Sequence, residues 1–197
     1  MKTPSKKQLE KAHEVYIKNE PRDLFYKVAN DLVSLSLKGK TSVTVAEAIS
    51  ALLLTWNREV YRFKKFTESD LVVLDKNISK HKDALISYRK RSIRLPSVSQ
   101  EGLLVCLFQD FEHPRGPVGA AKTLHLLAPK FFPLWDRRIA EKGYGIKLYK
   151  TGRNGQGYLI FLKMVAKQTA KIKRYNKRYP LKRLDEYNYC KYTKNWI

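Results

Sequence analysis

Cysteine is scarce in this chain of 197 residues, which contains only Cys106 and Cys190. The two lie far apart, one in an apolar run and the other in a basic, tyrosine-rich segment. Two cysteines are too few for a disulfide framework, for a four-cysteine zinc site or for a four-cysteine iron–sulfur cluster within one chain. We therefore expect two unpaired thiols and no iron–sulfur cofactor.

Long apolar runs are also missing. The longest, 51–54 and 103–108, are far shorter than the roughly 20 residues that a membrane-spanning helix needs. The basic segment 1–11 leads into mixed polar sequence rather than the apolar core of a signal peptide. The four histidines show no metal-ligand spacing. These features predict an intracellular protein, cytoplasmic or in the nucleoid if the source is prokaryotic, with no membrane partner and no metal centre.

Acidic residues are few relative to basic ones: 18 Asp and Glu stand against 40 Lys and Arg, a formal net charge of +22. Solubility is normally met by a net charge of about 2 to 8 on a small domain, so the excess predicts an anionic partner. The segment from Lys163 to Ile197 contains 11 basic residues and only two acidic ones, and aromatic residues are interspersed among them. Basic groups neutralise phosphates and rings stack on bases, which favours nucleic acid, with RNA still open beside DNA.

Helical spacing of apolar residues recurs along the first half, and no run alternates as a strand does. Two predicted core-facing stripes consist of Leu24, Val28, Asp31, Leu32 and Leu35, and of Val45, Ala48, Ile49, Leu52, Leu53 and Trp56. Gly39 suits the end of the first helix, and Thr41 or Thr44 the start of the next. Acids at 68–70 predict a further helix start, because the helix dipole favours them there.

The second half is expected to be helical as well. The predicted order is a helix over 99–111, a break at 113–117, a helix over 119–128, a short helix capped by Asp136 that ends near Gly143, and a long helix over 158–179. This order predicts an all-α fold. The chain reads as a single domain, 1–197, with two closely packed helical lobes over 1–98 and 99–197, and as a monomer.

The segment from Arg115 to Arg138 holds the residues with the most chemical potential. A glycine-containing turn at 115–119 leads into a helix, and backbone amides at a helix start can meet a phosphate. On a helical wheel Lys122 and His125 lie nearly opposite the apolar face, which places Lys122 towards solvent or a cleft. A lysine near a helix start, if desolvated, has a lowered pKa and becomes a nucleophilic amine. The proline-rich stretch 129–136 is long enough to return Asp136 to this point.

Two motifs in this segment resemble a known family. Gly116-Pro117-Val118-Gly119-Ala120-Ala121-Lys122, followed by Phe132-Pro133-Leu134-Trp135-Asp136, is similar to the hairpin, lysine and downstream aspartate of the helix-hairpin-helix DNA glycosylase superfamily, in a compact or divergent form. The resemblance implies two helical lobes around a DNA-binding cleft, with the hairpin and catalytic helix at 115–128. It also implies excision of a damaged or mismatched base from double-stranded DNA.

Carried over to these positions, the resemblance implies a bifunctional glycosylase and AP lyase. Lys122 would attack the sugar and form a Schiff base, and Asp136 would stabilise charge and move protons. The resemblance also implies phosphate contacts from the backbone around Gly116, Val118 and Gly119, with a monovalent cation possible at the hairpin. Apart from the resemblance, Arg115, Arg137 and Arg138 are candidate DNA contacts, and the candidate base pocket is Trp56, Asn57, His125 and Trp135. A purely hydrolytic glycosylase that uses Asp136, and a noncatalytic DNA- or RNA-binding module, are the alternatives.

Overall fold

The computed structural model describes residues 2–56, 65–150, 152–174 and 179–197, without the side chain of Pro114. These residues form helices and contain no strand, which confirms the all-α prediction for the part of the chain described. The helices are α1 (Lys6–Asn19), α2 (Asp23–Ser36), α3 (Val45–Trp56), α4 (Glu68–Lys80), α5 (Lys82–Arg89), α6 (Val98–Leu127), α7 (Gly155–Ile172) and α8 (Pro180–Asn188). Two short π-helical turns complete them: the Asp136 turn (Ile139–Gly143) and the C-terminal turn (Tyr189–Thr193).

Helix starts follow the local capping chemistry. Thr44 Oγ1 accepts a hydrogen bond from the Glu47 amide at 3.1 Å, and Glu47 Oε2 accepts one from the Thr44 amide at 2.7 Å. Such a capping box satisfies two backbone donors that the first turn leaves open, and it confirms the predicted start of α3. Thr67 and Asp70 cap α4 in the same way. For α6 the cap is Ser97, two residues before the predicted one.

The predicted core face of α2 is wrong. Leu24, Val28 and Leu35 are 60%, 48% and 39% exposed, whereas Ala29 and Val33 are buried. Apolar residues surround most of this helix, so the spacing alone favours no single face. Packing of α2 against α3 and α6 selects the face that carries Ala29 and Val33. On α3, by contrast, the predicted stripe is confirmed, since Ala48, Ile49, Leu52 and Leu53 are all buried.

Helix α6 is bent at Gly116, whose φ of 68° and ψ of 171° depart from the helical values of its neighbours. A residue with a side chain is strained at positive φ, so glycine suits this position. The predicted break therefore lies where expected, but it is narrower, because Gly116 alone leaves the helical conformation. The second segment of α6, after Gly116, ends at Leu127, one residue before the predicted end, and Ala128 is its C-cap.

The two ends of the chain meet. Helix α1 packs against α8 and the C-terminal turn, and His13 Nδ1 lies 2.9 Å from Glu186 Oε2. The buried thiol of Cys190 donates to the Ala12 carbonyl at 3.4 Å. Both Cys190 and the exposed Cys106 are unpaired, as the sequence predicted. This closure brings the C-terminal turn beside the Asp136 turn.

Buried aromatic rings fix the chain that follows α6. Trp135 is 1% exposed and makes edge-to-face contacts with Phe108 and Tyr158, at centroid distances of 5.6 and 5.0 Å. Such pairs add to the burial of apolar area. Phe132 is fully buried and makes an edge-to-face contact with Tyr88, at a centroid distance of 5.3 Å. The aromatic residues of 129–136 thus anchor this stretch in the core and determine where Asp136 lies.

A buried polar pair secures the loop before α7, and its removal should destabilise the fold. The amide side chain of Asn154 donates to the fully buried carboxylate of Glu112 and to the carbonyls of Tyr149 and Lys150. Replacing Asn154 with alanine removes the side-chain donor to Oε1 of the carboxylate and leaves only the amide of residue 154 on Oε2, which we expect to cost about 2–4 kcal/mol of unfolding free energy. Urea denaturation checks this, and a variant within about 0.5 kcal/mol of wild type would contradict it.

Candidate active site

Lys122 lies in the second segment of α6, and its ammonium group lies deep in the protein although the residue keeps some contact with solvent. Nζ donates to the carbonyl of Trp56 at 3.1 Å and stands 5.7 Å from the centroid of the Trp56 ring. Burial lowers the pKa of Lys122 from 10.5 to about 8, the Asp136 carboxylate raises it, and the Arg22 guanidinium lowers it slightly further. At neutral pH roughly a tenth of such a group is the free amine.

Of the two predicted causes of the lowered pKa, the helix start and desolvation, only desolvation fits the position of Lys122. With helical backbone from Pro117 onwards, Lys122 lies in the second turn of its segment rather than the first. The field of a helix dipole falls off within the first turn. Desolvation is the largest cause of the shift, because a cation loses hydration energy when protein atoms replace water around it.

Two side chains, Tyr26 and His125, hold the Trp56 end of this site in place. The Tyr26 ring stacks on Trp56 with a centroid distance of 5.5 Å, and its hydroxyl lies 2.9 Å from His125 Nε2. His125 Nδ1 lies 2.7 Å from the carbonyl of Phe132, so Nδ1 carries the proton and Nε2 accepts from Tyr26. Burial lowers the pKa of His125 to about 4, which keeps the imidazole neutral in this role.

His125 and Trp135 are therefore not pocket residues as predicted. His125 is 1% exposed, and both ring nitrogens are engaged by protein groups. Trp135 is also 1% exposed, and its Nε1 donates to the Pro117 carbonyl at 3.0 Å. The helical wheel wrongly placed His125 on an exposed face, because the second segment of α6 is buried on nearly every side. Of the other pocket candidates, Trp56 does border Lys122, and Asn57 lies outside the described residues.

Asp136 caps the turn that follows it, as the sequence predicted. Its Oδ1 accepts a hydrogen bond from the Ile139 amide at 2.8 Å, which is the usual contact of an N-cap carboxylate. The hydroxyl of Thr193, in the C-terminal turn, donates to the other oxygen, Oδ2. Both oxygens are thus oriented by donors that come from different parts of the chain.

Lys122 and Asp136 lie within electrostatic reach of one another. The carboxylate lies close enough to favour the charged form of the lysine. The bond from Trp135 Nε1 to the Pro117 carbonyl explains this proximity, because it ties the residue before Asp136 to the start of the segment that carries Lys122. The arrangement places a buried amine with a lowered pKa beside a fixed carboxylate, which suits nucleophilic attack with assisted proton transfer.

The predicted DNA contacts have different surroundings. Arg115 is only 6% exposed and donates to the Asp70 carbonyl at 2.9 Å, so its guanidinium serves the interior rather than a DNA surface. Val118 packs partly against the core, and Gly119 is buried. Arg137 and Arg138 are exposed: Arg137 pairs with Glu141 at 2.8 Å, and Arg138 donates to the Thr193 carbonyl at 2.7 Å.

Three residues that shape the site gave no sequence signal. Arg22 contributes charge near Lys122 while its guanidinium holds Glu20 at 2.7 and 2.8 Å. Tyr26 stacks on Trp56, and Thr193 reaches Asp136 across 57 positions. Contacts over such separations depend on helix packing and on no local spacing.

Comparisons with protein-family models, with curated proteins and with solved structures gave no match to this chain. Within residues 2–56, 65–150, 152–174 and 179–197, no three His, Cys, Asp or Glu side chains are grouped to hold a metal ion. No helix in the same part of the chain has both the length and the apolar character needed to cross a bilayer. The function is therefore argued from the site itself.

Proposed function

We propose that the protein is a DNA repair glycosylase with AP lyase activity, in which Lys122 is the nucleophile and Asp136 the catalytic carboxylate. The observation that carries the proposal is the buried Lys122 amine, with a pKa lowered to about 8, beside a carboxylate fixed at a helix start. The net charge of +22 supports a polyanionic substrate. The similarity of 116–122 and 132–136 to the glycosylase hairpin favours DNA over RNA.

The chemistry needs an amine and a carboxylate in these places. The neutral Lys122 Nζ attacks C1′ of the damaged nucleotide, and the bond from C1′ to the base breaks with its electrons on the base. Asp136 stabilises the positive charge that develops on the sugar and takes a proton from Nζ. The sugar ring opens to an imine between Nζ and C1′. Loss of a C2′ proton then expels the 3′ phosphate oxygen, which nicks the strand.

Binding of the duplex is part of the same proposal. The two lobes would form the cleft, and the backbone at the Gly116 bend, next to the half-buried Val118, would contact a phosphate together with a monovalent cation. Exposed Arg137 and Arg138 would contact the DNA backbone near Asp136. Trp56 and Asn57 would line the pocket for the flipped base. The enzyme acts as a monomer inside the cell.

Borohydride trapping tests this function. Duplexes that carry an oxidised purine, a deaminated base or an abasic site are incubated with the protein and sodium borohydride. Reduction of the imine leaves a covalent protein–DNA adduct, which we expect on the abasic duplex and on at least one damaged base. Base release without an adduct would instead indicate a hydrolytic enzyme that uses Asp136. Salt-sensitive binding with neither product would indicate a binding module.

The rate of trapping should depend on pH through the Lys122 amine. Burial lowers its pKa to about 8, so the reactive neutral form grows as pH rises and is nearly complete above pH 9. We expect the single-turnover rate on an abasic duplex to increase about tenfold from pH 6 to 7, to reach half its maximum near pH 8 and to level off above pH 9. A rate that keeps rising towards pH 10 would contradict this prediction, because it would indicate an ordinary solvated lysine.

A further inference from the structure

The C-terminal turn lies against the Asp136 turn and reaches the proposed catalytic carboxylate directly. The Thr193 hydroxyl donates to Asp136 Oδ2, while the Ile139 amide donates to Oδ1 at 2.8 Å. Hydrogen bonds to an ionised carboxylate are stronger than those between neutral groups. Two donors on different oxygens fix the rotation of the carboxylate about its Cβ–Cγ bond, which a single cap bond leaves free.

The position of Thr193 does not depend on its own hydroxyl. Arg138 Nη1 donates to the Thr193 carbonyl at 2.7 Å. The Tyr192 ring packs so closely on Gly143 that a Cβ added at that glycine would lie 2.9 Å from the ring. The C-terminal turn is therefore docked on the Asp136 turn by a neighbouring ring and a backbone contact. Removing the hydroxyl should leave this docking in place.

We propose that Thr193 is a positioning residue that holds the Asp136 carboxylate in the orientation needed to exchange protons with Lys122. The inference rests on the proposed function. A carboxylate has about four lone-pair directions, and the Ile139 and Thr193 donors occupy one on each oxygen, which leaves the others for the substrate and the amine. At an abasic site, Nζ adds to the C1′ aldehyde and the resulting hydroxyl leaves as water. The oriented carboxylate carries the two Nζ protons in turn to the aldehyde oxygen, which first becomes the hydroxyl and then leaves as water.

The test compares Thr193→Val, which keeps the shape of the side chain, with Thr193→Ser, which restores the hydroxyl. Single-turnover trapping is measured on a duplex with one abasic site, and binding of the same duplex is measured without borohydride. We expect Thr193→Val to trap about 10- to 100-fold more slowly with binding unchanged, since one charge-assisted hydrogen bond is lost. Thr193→Ser should recover most of the rate. Thr193→Ala serves as a second hydroxyl-free variant should the valine fit poorly.

A double substitution separates positioning from a general structural effect. With Asp136→Asn as the background, Thr193→Val should cause little further loss, because the carboxylate on which it acts is already gone. An equal loss in both backgrounds would show that Thr193 acts on the fold alone and would overturn the inference. A Thr193→Val variant that traps as fast as an active wild type would also overturn the inference, and it would leave the proposed function standing. A wild type that forms no adduct at all would overturn both the function and the role of Thr193.

Discussion

Replacing Lys122 with methionine should abolish covalent trapping, with a loss of at least about 10³-fold on an abasic duplex. Methionine matches the length of the lysine stem and has no amine, so no imine can form. An ordinary surface lysine does not substitute for Lys122, because at neutral pH only a few molecules in ten thousand of such a group are uncharged. The deep ammonium with its pKa of about 8 is about 300-fold richer in free amine.

This variant should remain folded. Methionine removes a buried cation, which relieves a desolvation cost, but it leaves the Trp56 carbonyl without the Lys122 donor. The two effects oppose one another, and we expect the unfolding free energy to change by less than about 2 kcal/mol. Thermal unfolding and duplex binding check this. Lys76→Met, at an exposed position on α4, is the matched control and should trap as wild type does. Full trapping by Lys122→Met would refute the assignment.

Replacing Asp136 with asparagine should slow trapping by about 10²–10⁴-fold while the fold is kept. Asparagine is as good an N-cap as aspartate, so the amide oxygen can still accept from Ile139. The negative charge is lost, and the Thr193 hydroxyl faces the amide nitrogen, from which it must accept instead of donating. Asp136→Ala, which removes the cap as well, should cost about 1 kcal/mol of stability in addition. If Asp136→Asn kept the wild-type rate, the carboxylate would serve only as a helix cap.

The same substitution should shift the pH dependence. The Asp136 carboxylate raises the pKa of Lys122 against the larger lowering effect of burial. Without that negative charge the pKa falls further, so more amine is present at low pH. The rising limb of the trapping rate should therefore move below pH 8 in Asp136→Asn, even though the maximum rate is lower. A lower maximum trapping rate combined with a rise at lower pH distinguishes an electrostatic partner of Lys122 from a residue that only stabilises the fold.

Local chemistry explains what the sequence predicted well. The starts of α3 and α4 and the capping role of Asp136 depend on residues within three positions of one another, and the structure confirms all three. The bend at Gly116 was equally visible, because glycine between two prolines disfavours a continuous helix. Each of these features depends on residues that are close together in the chain and not on how the helices pack.

The features that the sequence did not predict depend on how the helices pack. Helix α2 has apolar residues on opposite faces, and only its neighbours select the buried one. His125 appeared to lie on a polar face, yet Tyr26 and Phe132 enclose it. Arg115 was a predicted DNA contact, but its guanidinium is buried and donates to the Asp70 carbonyl. Thr193 could not be connected with Asp136 from the sequence, since their contact depends on the closure of the chain ends through α1 and α8.

The chain has other amines that could form an imine. Among them is its α-amino group, and because such groups ordinarily have a pKa of about 7.7–8.0, trapping through it would show a similar pH dependence. The most direct test of the central claim is therefore to map the adduct. The protein is trapped on an abasic duplex, the DNA and protein are digested, and the modified peptide is sequenced by tandem mass spectrometry. We predict that the reduced sugar remnant is attached to Lys122. A remnant on the α-amino group or on another lysine would contradict the account.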